Sequence, residues 1–149
     1  TISRVDWECV DSHGGSRLTV TNNTLLTCRT GVMIGASGGF TPKDIVISGN
    51  TIDNQAESNP YGNNGSSILL WGMDANNLST GRITNNTILR SNQIYLKNTK
   101  DIDVSENTLT KMNALGIFFE SYNQNFRVTN NVFTDICGLV SPVLQLNVE

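Results

Sequence analysis

The one histidine of the chain, His13, closes a run of residues able to move protons: Asp6-Trp-Glu8-Cys-Val-Asp11-Ser-His13-Gly-Gly15. Read as a strand, the run sends Asp6 and Glu8 to the same side, about 6.5–7 Å apart at two residues' rise. That spacing is at the low edge of what an inverting glycosidase needs to fit a water between its acid and its base. His13, placed by Asp11, could instead act as a general base that abstracts a sugar ring proton. The Gly14-Gly15 pair would let backbone approach a ligand. The plainer alternative is a polar turn. Catalytic candidates are therefore Asp6, Glu8, Asp11 and His13, and neither a metal nor a cofactor is expected.

A second set of side chains could hold a ligand. Trp71, Tyr95 and Phe118 recur on outward strand positions, with Tyr61 and Tyr122 in loops. Flat aromatic faces match the C–H faces of pyranose rings. Lys97 or Arg29 could answer a carboxylate or phosphate, and Glu120 adds an acid to the same face. Glu120 lies about four coils from Glu8, near 19 Å at strand spacing, so the two cannot act as a pair. The alternative is a contact between subunits, where aromatic residues are enriched.

Both sets depend on a repeat. Five phrases alternate apolar and polar residues, reach an Asn, and resume with an apolar residue two positions later: Leu18-Thr-Val-Thr-Asn-Asn-Thr-Leu25, Ile45-Val-Ile-Ser-Gly-Asn-Thr-Ile52, Gly81-Arg-Ile-Thr-Asn-Asn-Thr-Ile88, Ile102-Asp-Val-Ser-Glu-Asn-Thr-Leu109 and Phe126-Arg-Val-Thr-Asn-Asn-Val-Phe133. Period-2 alternation inside a repeat of this length predicts short strands stacked coil on coil. A second strand precedes each phrase: Asp6–Val10, Gly31–Gly35, Ser67–Trp71, Gln93–Lys97, Gly116–Glu120 and, last, Pro142–Leu146. Alternation puts Trp7, Cys9, Val32, Ile34, Ile68, Leu70, Ile94, Leu96, Ile117 and Phe119 inside. Leu25, Ile52, Ile88, Leu109 and Phe133 form a third inward row. The expected fold is all-β, a right-handed, single-stranded parallel β-helix of about five to six coils; the hand comes from the general rule for parallel crossovers. Stacked about 4.8 Å apart, Asn23, Asn50, Asn86, Asn107 and Asn131 can bond one another as a ladder, and an Asn tolerates a left-handed turn conformation.

Composition narrows the function. The chain has 149 residues and a net charge of −3, which gives no basic footprint for nucleic acid. No apolar run approaches a membrane span, so no membrane partner is expected. Three cysteines read as free core thiols, with no disulfide framework or zinc spacing. The repeat starts in mid-pattern and stops inside a strand, so residues 1–149 read as a single segment of a longer β-helix, truncated at both ends. The longer coils carry extra loop at Ser37–Pro42, Asn54–Gly65 and Met73–Thr80, which would wall the aromatic face into a groove. Nothing matches a P-loop, a nucleophile elbow or a zinc motif.

On these phrases the chain resembles the pectate-lyase-like superfamily of right-handed parallel β-helices. Asp11-Ser-His13 at a strand end is similar to the Asp-Pro-His-Glu motif of mannuronan C5-epimerases, with Ser12 and Gly14 in place of the Pro and Glu; the resemblance implies a catalytic Asp and His. Thr30-Gly-Val-Met-Ile-Gly-Ala-Ser-Gly-Gly39 is similar to a polygalacturonase segment, but Thr30 stands where that family has its catalytic His. The low charge and Asn-rich coils resemble the central β-helix of phage tailspikes. That last likeness implies a polysaccharide partner, cleavage of a bacterial surface glycan by a glycoside hydrolase or polysaccharide lyase, a virion-tail or extracellular location, and a homotrimer of the full-length protein. The alternatives are a non-catalytic adhesin or stalk, and a lyase or epimerase that uses His13.

Overall fold

A computed structural model describes residues 1–55 and 65–140, with side chains of the last strand placed through Ile136. Eleven strands follow in chain order: β1 (Ile2–His13), β2 (Thr19–Thr21), β3 (Thr24–Gly35), β4 (Ile45–Ser48), β5 (Thr51–Asp53), β6 (Ile68–Trp71), β7 (Ser79–Thr84), β8 (Thr87–Leu89), β9 (Ile94–Ser105), β10 (Thr108–Thr129) and β11 (Val132–Val140). Every pairing between them is parallel, and the chain winds through about five turns. Each turn crosses three walls. The first wall stacks the ends of β1 and β3 with β6, the start of β9 and the middle of β10. The second stacks β2, β4, β7 and the ends of β9 and β10. The third holds the starts of β1, β3 and β10 with β5, β8 and β11.

The alternating apolar residues fill the interior as the pattern dictates. Val32, Ile34, Ile68, Leu70, Ile94, Leu96, Ile117 and Phe119 line the first wall, Ile45, Ile47, Ile83, Ile102 and Val104 the second, and Leu25, Ile52, Ile88 and Leu109 the third, all buried in one cluster. Each such side chain contributes roughly 1.5–3 kcal/mol. One coil alone buries Ile68, Leu70, Ile83 and Ile88. That sum exceeds the net ~1 kcal/mol of a typical hydrogen bond, so the apolar stack supplies the stability and the polar ladders set the register.

The five asparagines do form a ladder. Asn23, Asn50, Asn86 and Asn107 each direct both backbone N–H and Nδ2 to the Oδ1 of the next Asn, at 2.9–3.1 Å. The left-handed residue of this corner is not the ladder Asn but the one before it: Asn22, Gly49, Asn85, Glu106 and Asn130, with φ between 55° and 67°. The carboxamide therefore stays in extended backbone and points inward, while its neighbour makes the bend. A second left-handed column, Arg4, Thr27, Arg90, Lys111 and Asp135, turns the third wall into the first.

Two expectations are overturned near the N-terminal coil. Pairing of β1 with β3 shifts register between Val5 and Glu8. That bulge lets Cys9 and Val10 both pack on the core, and it turns Trp7 out: the ring expected inside is 61% exposed. Cys9 and Cys28 form a disulfide with Cα atoms 5.6 Å apart, in place of the free thiols expected. They are 19 residues apart, while the strand partner of Cys28 is Val5, so the link runs diagonally between the first two coils. Pro142–Leu146 and Tyr61 lie outside the described residues.

Candidate functional site

Vertical register sorts the outward side chains of the first wall into two columns. One runs Asp11, Met33, Leu69, Tyr95, Phe118. The other runs His13, Gly35, Trp71, Lys97, Glu120. Seven of the sequence-derived candidates thus share one face, although their numbers span more than a hundred positions.

At the N-terminal end the His13 Nε2 lies 3.3 Å from Asp11 Oδ2, and both side chains reach solvent. Next in the His13 column stands Gly35, which has to be glycine. A Cβ there would lie 2.2 Å from Cζ2 and 2.3 Å from Cε2 of Trp71. The indole of the following coil therefore lies back over Gly35, filling the gap between Trp71's own coil and that of His13. Trp71 is half-buried by this packing, which explains why a large outward ring is tolerated.

Beyond Trp71 the polar groups form a short network. Lys97 Nζ is 2.7 Å from Glu120 Oε1, and the Tyr95 hydroxyl donates to Glu120 Oε2. The Tyr95 ring also packs on Phe118 at 5.3 Å between centroids, tilted by 48°. Donation from Lys97 and then from Tyr95 holds the Glu120 carboxyl below its ordinary range, against a smaller opposing effect of burial. Burial, and then the neighbouring carboxylate, pushes the Tyr95 phenol well above its usual value. Tyr95 is therefore a hydrogen-bond donor, not a base.

Trp71, Tyr95 and Lys97 line a cleft of about 520 Å³, closed by Gln93 and Ser66 on one side and Met73 on the other. Loop growth made this cleft. Residues 36–44 and 72–78 leave the C-terminal edge of β3 and β6, the edge where insertions were expected. Asp74 in the second loop accepts from the backbone N–H of Asn76 at 2.8 Å and of Asn77 at 3.0 Å, which holds its carboxyl low and ties it to the turn. Gln93 and Ser66 carried no sequence signal, because nothing but the stacking of coils brings them beside Trp71.

The remaining candidates are elsewhere. Asp6 lies within the register shift and Glu8 aligns with Thr30, about 10 Å along the strand from Asp11. Arg29 is at the corner before the first wall, its guanidinium 4.6 Å from the Trp7 ring centroid. Among the described residues no group of three or more His, Cys, Asp or Glu is placed to hold a metal ion.

The model of the right-handed β-helix region matches residues 1–141, and the chain belongs to that family. No curated protein and no solved structure gave a significant match. A fold of this family fits a carbohydrate-active or a structural role.

Proposed function

We propose that the first wall of this right-handed β-helix binds a polysaccharide along the coil axis and acts on it by acid–base chemistry at the Asp11–His13 end. The observation that carries the reading is the shared column: His13, the Trp71 indole over Gly35, Lys97 and Glu120 stand in line on one face. At about 4.8 Å per coil that line is long enough to seat several sugar rings. Trp71, Tyr95 and Phe118 supply stacking faces. Asp11 orients the imidazole, which serves as the proton acceptor or donor. Asp6, inside the Val5–Glu8 irregularity, and Glu8, at its end, take a supporting place in this reading. The whole protein is then a depolymerase of a bacterial surface glycan, resembling phage tailspikes, that works outside the cell. The Cys9–Cys28 disulfide supports an oxidising setting.

Incubation with bacterial surface glycans, with products sized by mass, tests the reading. Products whose new end absorbs ultraviolet light identify a lyase, and non-absorbing fragments a hydrolase. His13→Ala should abolish cleavage and leave glycan retention intact, whereas Trp71→Ala should weaken retention. Cleavage that survives His13→Ala removes the acid–base assignment.

One observation favours a second reading, a contact between copies in a homotrimer. Phe40 (71% exposed) and Met73 (40%) lie on connections leaving the C-terminal edge of the first wall, and Tyr122 (59%) lies in β10 just past that edge. Exposed apolar residues in a row suit an interface. Substituting all three with Ser should then lower the oligomer mass without changing glycan retention.

A further inference from the structure

We infer that the cleft on the first wall takes an uncharged glycan, and that the Lys97–Glu120 pair sets this preference; the inference rests on the glycan-binding reading above. Among the residues that line the cleft, Lys97 carries the one fixed positive charge. That charge is already answered, since Nζ lies 2.7 Å from Glu120 Oε1. The second Glu120 oxygen accepts the Tyr95 hydroxyl. Asp11 adds another carboxylate to the same two outward columns. Two carboxylates thus face one ammonium along the surface where a chain of sugars would lie.

Among the described residues, four further cations are engaged away from the cleft. Arg29 is spent on the Trp7 ring at the corner, and Lys43 donates to the Leu78 carbonyl. Arg90 pairs with Asp53 and Arg127 with Asp103, both on other walls. A polyuronate, with a carboxylate on each ring, would meet the Glu120 and Asp11 carboxylates beside a lysine that is already paired, and like-charge juxtaposition rejects partners. A neutral pyranose escapes that penalty. Its C–H face can stack on the Trp71 indole, while its hydroxyls bond the remaining Lys97 N–H groups, Gln93 and Ser66. This also separates the chain from the uronate-acting enzymes that its Asp11-Ser-His13 motif resembles.

Affinity electrophoresis against two panels tests this: neutral dextran, galactomannan and xyloglucan, and anionic polygalacturonate and alginate. The chain should be retained by a neutral polymer and bind the anionic ones at least about tenfold more weakly. Raising NaCl from about 20 to about 300 mM should leave neutral retention unchanged, because no net charge is engaged. Glu120→Gln, checked for folding by its urea midpoint, releases the Lys97 charge and should narrow the neutral-to-anionic ratio at least about fivefold. Equal or stronger retention by a polyuronate, or a ratio unmoved in a folded Glu120→Gln, overturns the uncharged-glycan inference and leaves glycan binding standing. Retention by neither panel overturns the glycan-binding reading itself.

Discussion

Asn86 lies at the centre of the ladder, and its removal gives the sharpest test of how the coils are held in register. Its Oδ1 accepts the Asn50 N–H and Nδ2, both at 3.0 Å. Its own Nδ2 donates to the Ile47 carbonyl at 3.0 Å and to Asn107 Oδ1 at 2.9 Å. The residue is 1% exposed, so water cannot replace what is lost. In Asn86→Ala the Asn107 oxygen keeps the Asn86 backbone N–H and the Asn50 amide keeps the Val20 and Ser48 carbonyls. The Asn50 N–H is left stranded. One buried orphan donor, together with the small cavity, gives a loss of about 3 kcal/mol. Asn23→Ala strands no buried donor, because Asn50 Oδ1 still receives the Asn23 N–H, and its expected loss is about 0.5–1 kcal/mol. Asn86→Asp keeps the acceptor and turns a second oxygen on the Ile47 and Asn107 oxygens. Burial and those oxygens raise the new carboxyl above its unfolded value, so the deficit should grow as pH rises through the ordinary Asp range and shrink below it. Urea unfolding followed by circular dichroism measures all three. Equal losses at Asn23 and Asn86, or an Asn86→Asp deficit that does not change with pH, would refute the ladder as the source of register.

Three further outcomes follow. Glu106 occupies a left-handed position at φ 59° that its column otherwise gives to Asn or Gly, so Glu106→Asn should raise stability by roughly 0.5–1 kcal/mol in urea, and a loss would contradict the strain. Denaturing alkylation without reductant should label Cys137 alone, and reduction should cost about 3 kcal/mol for a loop of this length; labelling of all three cysteines would show that the disulfide does not form. The lowered Glu120 carboxyl contributes stability above its ordinary value of 4.5 and loses it as pH falls below that, so wild type should weaken relative to Glu120→Gln on acidification, and parallel pH profiles would contradict the network.

The repeat was legible because its evidence is local. Alternation and the Asn two positions before an apolar residue gave the inward rows, the three strands per coil and the ladder, and the same alternation gave the outward placement of Trp71, Tyr95 and Phe118. Other features depend on how one coil lies on the next, which no single stretch encodes. The irregularity between Val5 and Glu8 reversed Trp7, and the Cys9–Cys28 disulfide links residues of different coils. The Gly35–Trp71 contact needs the register of β3 with β6. The left-handed bend fell one residue before each ladder Asn because a carboxamide that must point inward cannot also make the turn.

Consecutive rungs of the amide ladder are separated by 27, 36, 21 and 24 residues, yet every junction is the same. All the variation in length escapes into the connections between walls, so each circuit of chain is an interchangeable part. Duplicating or deleting one whole circuit would preserve the form of every ladder junction, whereas a one-residue change inside a wall would break several contacts at once. A gene coding for such a molecule can lengthen its first wall by copying a short stretch of itself, and can alter the surface beside that wall by editing loops that the scaffold does not notice.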